Sequence, residues 1–105
     1  MAWIYLLVAG VLEVLWALGL KYTDGWTKPI PTVFTLLIMV ASFYCLAQAV
    51  REIPIGTGYA IWTGIGAAGT AIVSVFLFNE PITIWRAACL LLIVGGIVGL
   101  KVTAG

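Results

Sequence analysis

The sequence contains no histidine and few charged residues. Five Lys and Arg stand against four Asp and Glu, for a net charge of +1, and charged residues make up 9% of the 105 positions. Soluble domains carry roughly 25% charged residues, so this composition excludes an ordinary soluble protein. The balance of charge also excludes the basic surface of a nucleic-acid-binding protein. Without histidine we expect no catalytic triad, and we predict neither an enzyme nor a bound metal or cofactor.

The chain has two cysteines, Cys45 and Cys89, and both lie inside apolar runs. Their spacing matches neither a CxxC motif nor a metal-ligand pattern. Because a free cysteine commonly behaves as a small apolar residue, we predict that both are buried.

Apolar residues dominate the composition, at 64% of the chain with a mean hydropathy of +1.20. At about 20 residues per crossing, this length allows roughly four membrane spans. The apolar runs do not alternate as a barrel would require, so they must be helices. We therefore predict an all-α membrane protein, a single domain over 1–105, whose first run is a mature helix and not a cleaved leader. The expected spans are about 3–20, 31–50, 56–78 and 85–102.

The positive charges give almost no orientation signal. Four spans place Arg51 and Lys101 on one side of the membrane and Lys21, Lys28 and Arg86 on the other. A marked excess of Lys and Arg on the cytoplasmic side normally orients a membrane protein. Two against three is no such excess, so the chain can insert in both directions unless another factor sets its orientation.

Glu13 lies near the middle of the first span, about 15 Å along the helix from Trp3. A charged side chain at that depth costs roughly 2.5–3.5 kcal/mol on insertion scales and usually marks an ion or proton pathway. The alternative is a protonated glutamate that holds helices together by a hydrogen bond. We favour the functional interpretation, since Gln or Ser would serve the alternative at lower cost.

Several polar and aromatic residues are predicted at a similar depth. Trp16 follows Glu13 by three residues on the same helical face, and Tyr59 and Trp62 form a second pair at this spacing. Ser42 lies near the middle of the second span. Each aromatic alone could be packing, but as a set around one acid they predict a site that supports Glu13 and lines a substrate.

A carboxylate beside aromatic rings suits an organic cation, because each ring adds about 0.5–2 kcal/mol of cation-π attraction. The same carboxyl group can carry a proton. If Glu13 binds either a proton or a cation but not both, a protein that alternates its exposure exchanges one for the other. The sequence therefore predicts proton-driven antiport.

Transporters commonly achieve alternating access with inverted repeats, and this chain has no internal repeat. A second, inverted copy would supply one, and it would bring two Glu13 side chains towards a shared cavity. Gly95 and Gly99 form a GxxxG pattern, with Gly96 beside them, that permits close helix contact in lipid. We interpret these glycines as a candidate dimer seam; packing within one chain is the alternative.

The third span is rich in glycine, which costs about 1 kcal/mol relative to alanine inside a helix. Gly64 and Gly66 are our candidate hinge. The equally open alternative is that these glycines only provide a thin face for helix contact.

The sequence resembles the small multidrug resistance family of proton-coupled exporters over essentially its whole length. The resemblance implies an antiparallel, dual-topology homodimer in the bacterial inner membrane, in which Glu13 of both subunits binds substrate or protons and Tyr59 and Trp62 line the site. The matching segments are Leu12-Glu13-Val14, Ala41-Ser42-Phe43, Leu46-Ala47-Gln48 and Tyr59-Ala60-Ile61-Trp62-Thr63-Gly64-Ile65-Gly66.

Within that family the chain is similar to the guanidinium exporter subtype. Trp16 stands where the multidrug subtype has a small residue, and the segment from Ala17 to Gly25 also matches. A narrow pocket suits guanidinium, which is planar and makes two parallel hydrogen bonds to a carboxylate. The resemblance implies an antiporter that exports guanidinium and small guanidinyl cations.

Two alternatives stay open, a broad multidrug or quaternary-ammonium proton antiporter and, less favoured, a membrane assembly subunit without transport activity. A related partner chain in place of the second copy also stays open. We interpret Glu80, Arg86 and Lys101 as anchors of the helix ends.

Overall fold

The structure is a computed structural model that describes residues 1–104. Within that range the chain forms four α-helices and no strand, and each helix is long and apolar enough to cross a membrane. A helix of 21 residues is about 31 Å long, which matches the hydrocarbon core of a bilayer. The predicted all-α, four-helix membrane fold is confirmed. The helices are α1 (Ala2–Tyr22), α2 (Pro29–Ala49), α3 (Ile55–Leu77) and α4 (Ile84–Ala104).

Turn residues in left-handed conformations end α1 and α3. After α1, which continues through Lys21 and Tyr22, three successive residues have positive φ: Asp24 at 49°, Gly25 at 70° and Trp26 at 68°. This conformation cannot continue a right-handed helix. Asn79, with φ of 53°, has the same effect after α3.

Helix α1 packs against both α2 and α3, and α4 packs against α3 at one edge of the bundle. Small residues allow these approaches. A Cβ atom added at Gly10 of α1 would lie 2.7 Å from Ile65 Cγ2 of α3, and one added at Gly19 would lie 2.5 Å from Thr35 Oγ1 of α2. The buried apolar core lies at one end of the helices and consists of Ala2, Leu6, Ala9, Ala49, Ile53, Ile61 and Trp62.

Helix α4 keeps most of its surface exposed. Gly95, Gly96 and Gly99 face open space, because a Cβ atom added at any of them would meet nothing within 4 Å. Cys89 is exposed and Cys45 is half-buried, and both are free thiols. The prediction that both cysteines are buried is therefore wrong for Cys89, which stands on a helix that contacts the bundle along one face.

Candidate functional site

The Glu13 carboxyl group lies against the backbone of α3. A Cβ atom added at Gly66 would overlap the Glu13 carboxyl group, so the absence of a side chain at Gly66 provides the space that the acid occupies. Glu13 itself is half-buried. Its Oε1 atom is buried and has no hydrogen-bond partner among the residues that the structure describes. A buried acceptor without a partner is costly, so the acid is stabilised if its side chain turns towards a donor from outside the chain.

Ser42 joins three helices through its hydroxyl group. Its Oγ donates a hydrogen bond to the carbonyl oxygen of Ala9 on α1 at 2.8 Å, and it accepts one from Nε1 of Trp62 on α3 at 3.1 Å. Ser42 and Ala9 are both 0% exposed, and Trp62 is 6% exposed. The hydroxyl therefore satisfies a buried indole donor that would otherwise lack a partner.

The aromatic residues form a continuous series between α1 and the start of α3. Trp16 contacts Phe43 edge-on with ring centroids 6.3 Å apart, and Phe43 contacts Trp62 at 5.6 Å. Tyr59 packs against Trp62, also at 5.6 Å. These separations fall in the range that aromatic pairs favour. The indole Nε1 of Trp16 is buried and, like Glu13 Oε1, has no partner within residues 1–104.

A cavity of about 430 Å³ begins at Glu13 and Gly66 and extends along α1 and α3 towards the loop after α3. Its lining includes Thr63 and Thr70 but none of the four predicted support residues, as far as the described part of the chain shows. Glu13 thus lines this partly polar cavity, whereas the aromatic series does not. The four predicted support residues are instead connected with one another, in part through Phe43: Trp16, Ser42, Tyr59 and Trp62.

The two candidate hinge glycines both lie in close helix contacts. A Cβ atom added at Gly64 would lie 2.9 Å from Ile97 of α4, while Gly66 faces Glu13 of α1. Helix α3 runs continuously from Ile55 to Leu77 across both positions. Their contacts fit the alternative of a thin packing face, and a hinge at this position stays a prediction.

Two residues belong to this arrangement that the sequence did not single out. Phe43 links Trp16 to Trp62, and Thr70 lines the cavity with a buried hydroxyl that has no partner within residues 1–104. Thr70 follows Gly66 by four residues, so helical spacing could have placed it on the face of α3 that meets Glu13. Phe43 is adjacent to Ser42 in the chain, and its role depends on how α2 packs.

Comparison with known proteins places the chain among membrane transport proteins. Residues 1–93 match the Small Multidrug Resistance protein family. Proteins named guanidinium exporter in Yersinia pestis and Proteus vulgaris are each 50% identical to it over 104 residues, which cover 99% of this chain and 100% of theirs. The guanidinium exporter of Salmonella typhimurium is 50% identical over 103 residues, 98% of each chain. A match that extends from α1 well into α4, together with this identity over nearly the full length, confirms the resemblance: the chain belongs to the Small Multidrug Resistance protein family.

Proposed function

We propose that this chain is a proton-coupled antiporter that exports guanidinium and small guanidinyl cations by alternating access. The observation that carries the proposal is the buried, unpartnered Oε1 atom of Glu13, which lies against Gly66 at the inner end of a cavity. A carboxylate in this position can accept hydrogen bonds from a guanidinium ion or hold a proton. The names of relatives at 50% identity support guanidinium as the cation.

The geometry of guanidinium favours a single acidic acceptor in a confined site. The ion is planar and presents parallel N–H groups that match the two oxygens of a carboxylate. Trp16 follows Glu13 by three residues, and its ring packs edge-on to Phe43. In this proposal Trp16 limits the space beside the acid. The Ser42 to Trp62 hydrogen bond fixes the neighbouring aromatic wall. These residues do not line the cavity that reaches Glu13 here. In this proposal Trp16, Ser42, Tyr59 and Trp62 support the acid and line the substrate site in the alternate conformation, in which Glu13 faces the aromatic series.

A second, inverted copy of the chain completes the proposed transporter. The glycine face of α4 makes no contact within the chain, as far as its described residues show, so Gly95, Gly96 and Gly99 are free to pack against another helix. The two-against-three distribution of Lys and Arg supports insertion in both orientations. We accordingly propose an antiparallel, dual-topology homodimer in the bacterial inner membrane.

The test is proton flux through the purified full-length chain in liposomes, recorded with a pH-sensitive dye inside them, because exchange of one proton for one monovalent cation moves no net charge. We expect a guanidinium gradient to drive a larger proton flux than a gradient of the bulky cation tetraphenylphosphonium, and Glu13→Gln to abolish the flux. The matched control is Glu52→Gln, since Glu52 is an exposed acid in the loop after α2. A preference for tetraphenylphosphonium would favour a broad multidrug antiporter. Absence of cation-driven proton flux with either cation would favour an assembly subunit.

A further inference from the structure

Glu80 lies at the opposite end of the cavity from Glu13. Both acids line the same cavity of about 430 Å³, Glu13 from the middle of α1 and Glu80 from the loop that follows α3. Gly66 and Ser74, which face the two acids, are eight residues apart on α3, or about 12 Å along the helix axis. The cavity therefore connects the buried acid with a second carboxylate near the end of the span.

Hydroxyl groups lie between the two acids on one face of α3. Gly66, Thr70 and Ser74 follow one another at intervals of four residues, which places them on the same side of the helix. Thr70 Oγ1 is buried and has no partner within residues 1–104. Ser74 Oγ lies 3.1 Å from Glu80 Oε1 and 3.0 Å from the carbonyl oxygen of Ala71. The Ser74 hydroxyl has one hydrogen and can donate at most one hydrogen bond to Glu80. Because a carboxylate has about four acceptor positions, Glu80 can accept further hydrogen bonds.

Two basic side chains share this end of the cavity, and each is engaged with another group. The Lys21 ammonium nitrogen lies 5.4 Å from the centroid of the Phe78 ring. Arg86 Nη1 donates a hydrogen bond to the carbonyl oxygen of Pro81 at 2.6 Å. Two positive charges at a cavity entrance repel a cationic substrate, and a carboxylate beside them offsets part of that repulsion.

We infer that Glu80, held by Ser74 at the entrance of the Glu13 cavity, forms an outer binding site where a guanidinium ion stops between water and Glu13. This inference rests on the proposed function. The carboxylate supplies the bidentate acceptor that guanidinium fits, and Thr70 and Ser74 supply polar contacts along the path to Glu13. Glu80 is then a substrate-binding residue and not only an anchor of the helix end.

An outer site on the path from water to Glu13 changes the association and dissociation rate constants of guanidinium more than its equilibrium dissociation constant. We would record tryptophan fluorescence in a stopped-flow instrument while guanidinium is mixed with the purified full-length chain. In Glu80→Gln, we expect the association and dissociation rate constants both to fall about three- to tenfold, with the equilibrium affinity preserved within about twofold. Unchanged rates would overturn the inference, and so would a loss of affinity equal to the loss of association rate.

Asp24→Asn is the matched control for charge. Asp24 is exposed in the turn between α1 and α2, at the same end of the bundle as Glu80, and it does not line the cavity. We expect this variant to bind guanidinium at the rate of the unmodified chain. Equal slowing in both variants would indicate a general effect of surface charge and would overturn the outer site.

Ser74→Ala separates binding from structural support. Glu80→Gln keeps an oxygen that can accept the Ser74 hydrogen bond, whereas Ser74→Ala removes the hydroxyl but keeps the charge. Because Ser74 holds Glu80 and lies on the path, we expect Ser74→Ala to slow association less than Glu80→Gln does, and the thermal unfolding temperature of Glu80→Gln to stay unchanged. Equal slowing in both variants together with lowered unfolding temperatures would assign Glu80 to anchoring the loop. If the unmodified chain shows no response to guanidinium, both the proposed function and the outer site fail; if only the Glu80 effect is missing, the proposed function stands.

Discussion

The indole Nε1 of Trp62 on α3 donates its hydrogen bond to the Ser42 hydroxyl on α2, at 3.1 Å, and not to Glu13. The Ser42 hydroxyl in turn donates to the carbonyl oxygen of Ala9 on α1. One side chain thus ties together the three helices that surround the candidate site. Glu13 Oε1 takes no part in this network and has no hydrogen-bond partner within residues 1–104.

Removal of the Ser42 hydroxyl is predicted to destabilise the helix bundle. Interhelical hydrogen bonds in membranes contribute about 0.6–2 kcal/mol each. Ser42→Ala removes two such bonds and should lower the free energy of unfolding by about 1–4 kcal/mol. Trp62→Phe removes one bond and also shortens a buried ring, so it should cost at least about 0.6–2 kcal/mol. The Ser42 to Trp62 bond is absent from both variants, so the double variant should lose less than the sum. Unfolding in mixed micelles would measure this coupling. Strictly additive losses would show that the bond contributes nothing.

The four helices were predictable from sequence because apolar runs of this length have one stable form in lipid. Glu13 was also predictable as an exceptional residue, since a charge at that depth is costly. The hydrogen-bond partner of Trp62 was not predictable from sequence, because it depends on how α2 packs against α1. The exposed position of Cys89 was missed for a related reason: α4 is apolar on all sides, so its sequence does not indicate which side contacts α3.

Gly66→Ala is predicted to disrupt the Glu13 site. The added Cβ atom would overlap the Glu13 carboxyl group, so either the acid moves or α1 and α3 separate. Overpacking of this kind lowers the free energy of unfolding by about 1–3 kcal/mol. Because the acid is displaced, we also expect weaker guanidinium binding. Gly56→Ala is the control, since a Cβ atom at Gly56 on the same helix meets nothing within 4 Å. Normal binding in Gly66→Ala would contradict the close contact with Glu13.

Substitution of Gly64 tests whether the glycines of α3 serve as a hinge or only allow close packing against α4. A Cβ atom there would lie 2.9 Å from Ile97, so Gly64→Ala should destabilise the α3–α4 contact. If packing is the cause, shortening the neighbour in the double variant Gly64→Ala with Ile97→Ala should restore transport relative to Gly64→Ala alone. Ile97→Ala by itself is the control that measures how much transport is lost when the Ile97 side chain is shortened. Transport that stays low despite the restored space would instead favour a hinge that requires glycine.

Competition between protons and guanidinium predicts a specific pH dependence. If Glu13 binds one or the other, lowering the pH fills the carboxyl group with protons, and the apparent dissociation constant for guanidinium should rise by up to about tenfold per pH unit for each competing proton. Calorimetric titration across a pH series would measure it, with Glu52→Gln expected to give the same curve as the unmodified chain. A dissociation constant that stays flat from about pH 5 to about pH 9 would contradict competition.

The exposed glycine face of α4 predicts self-association through that helix. Gly95 and Gly99 contact nothing within the described part of the chain, so Gly95→Leu with Gly99→Leu should leave the fold of one chain intact. If the face packs against a second copy, the bulky side chains separate the helices and weaken the dimer, because close approach in lipid depends on small residues. Val94→Leu is the control, since Val94 is also exposed and lies about 100° or more around α4 from both glycines. Cross-linking and single-molecule photobleaching in liposomes would measure the dimer fraction. An unchanged fraction in the double variant would place the contact between copies outside this glycine face.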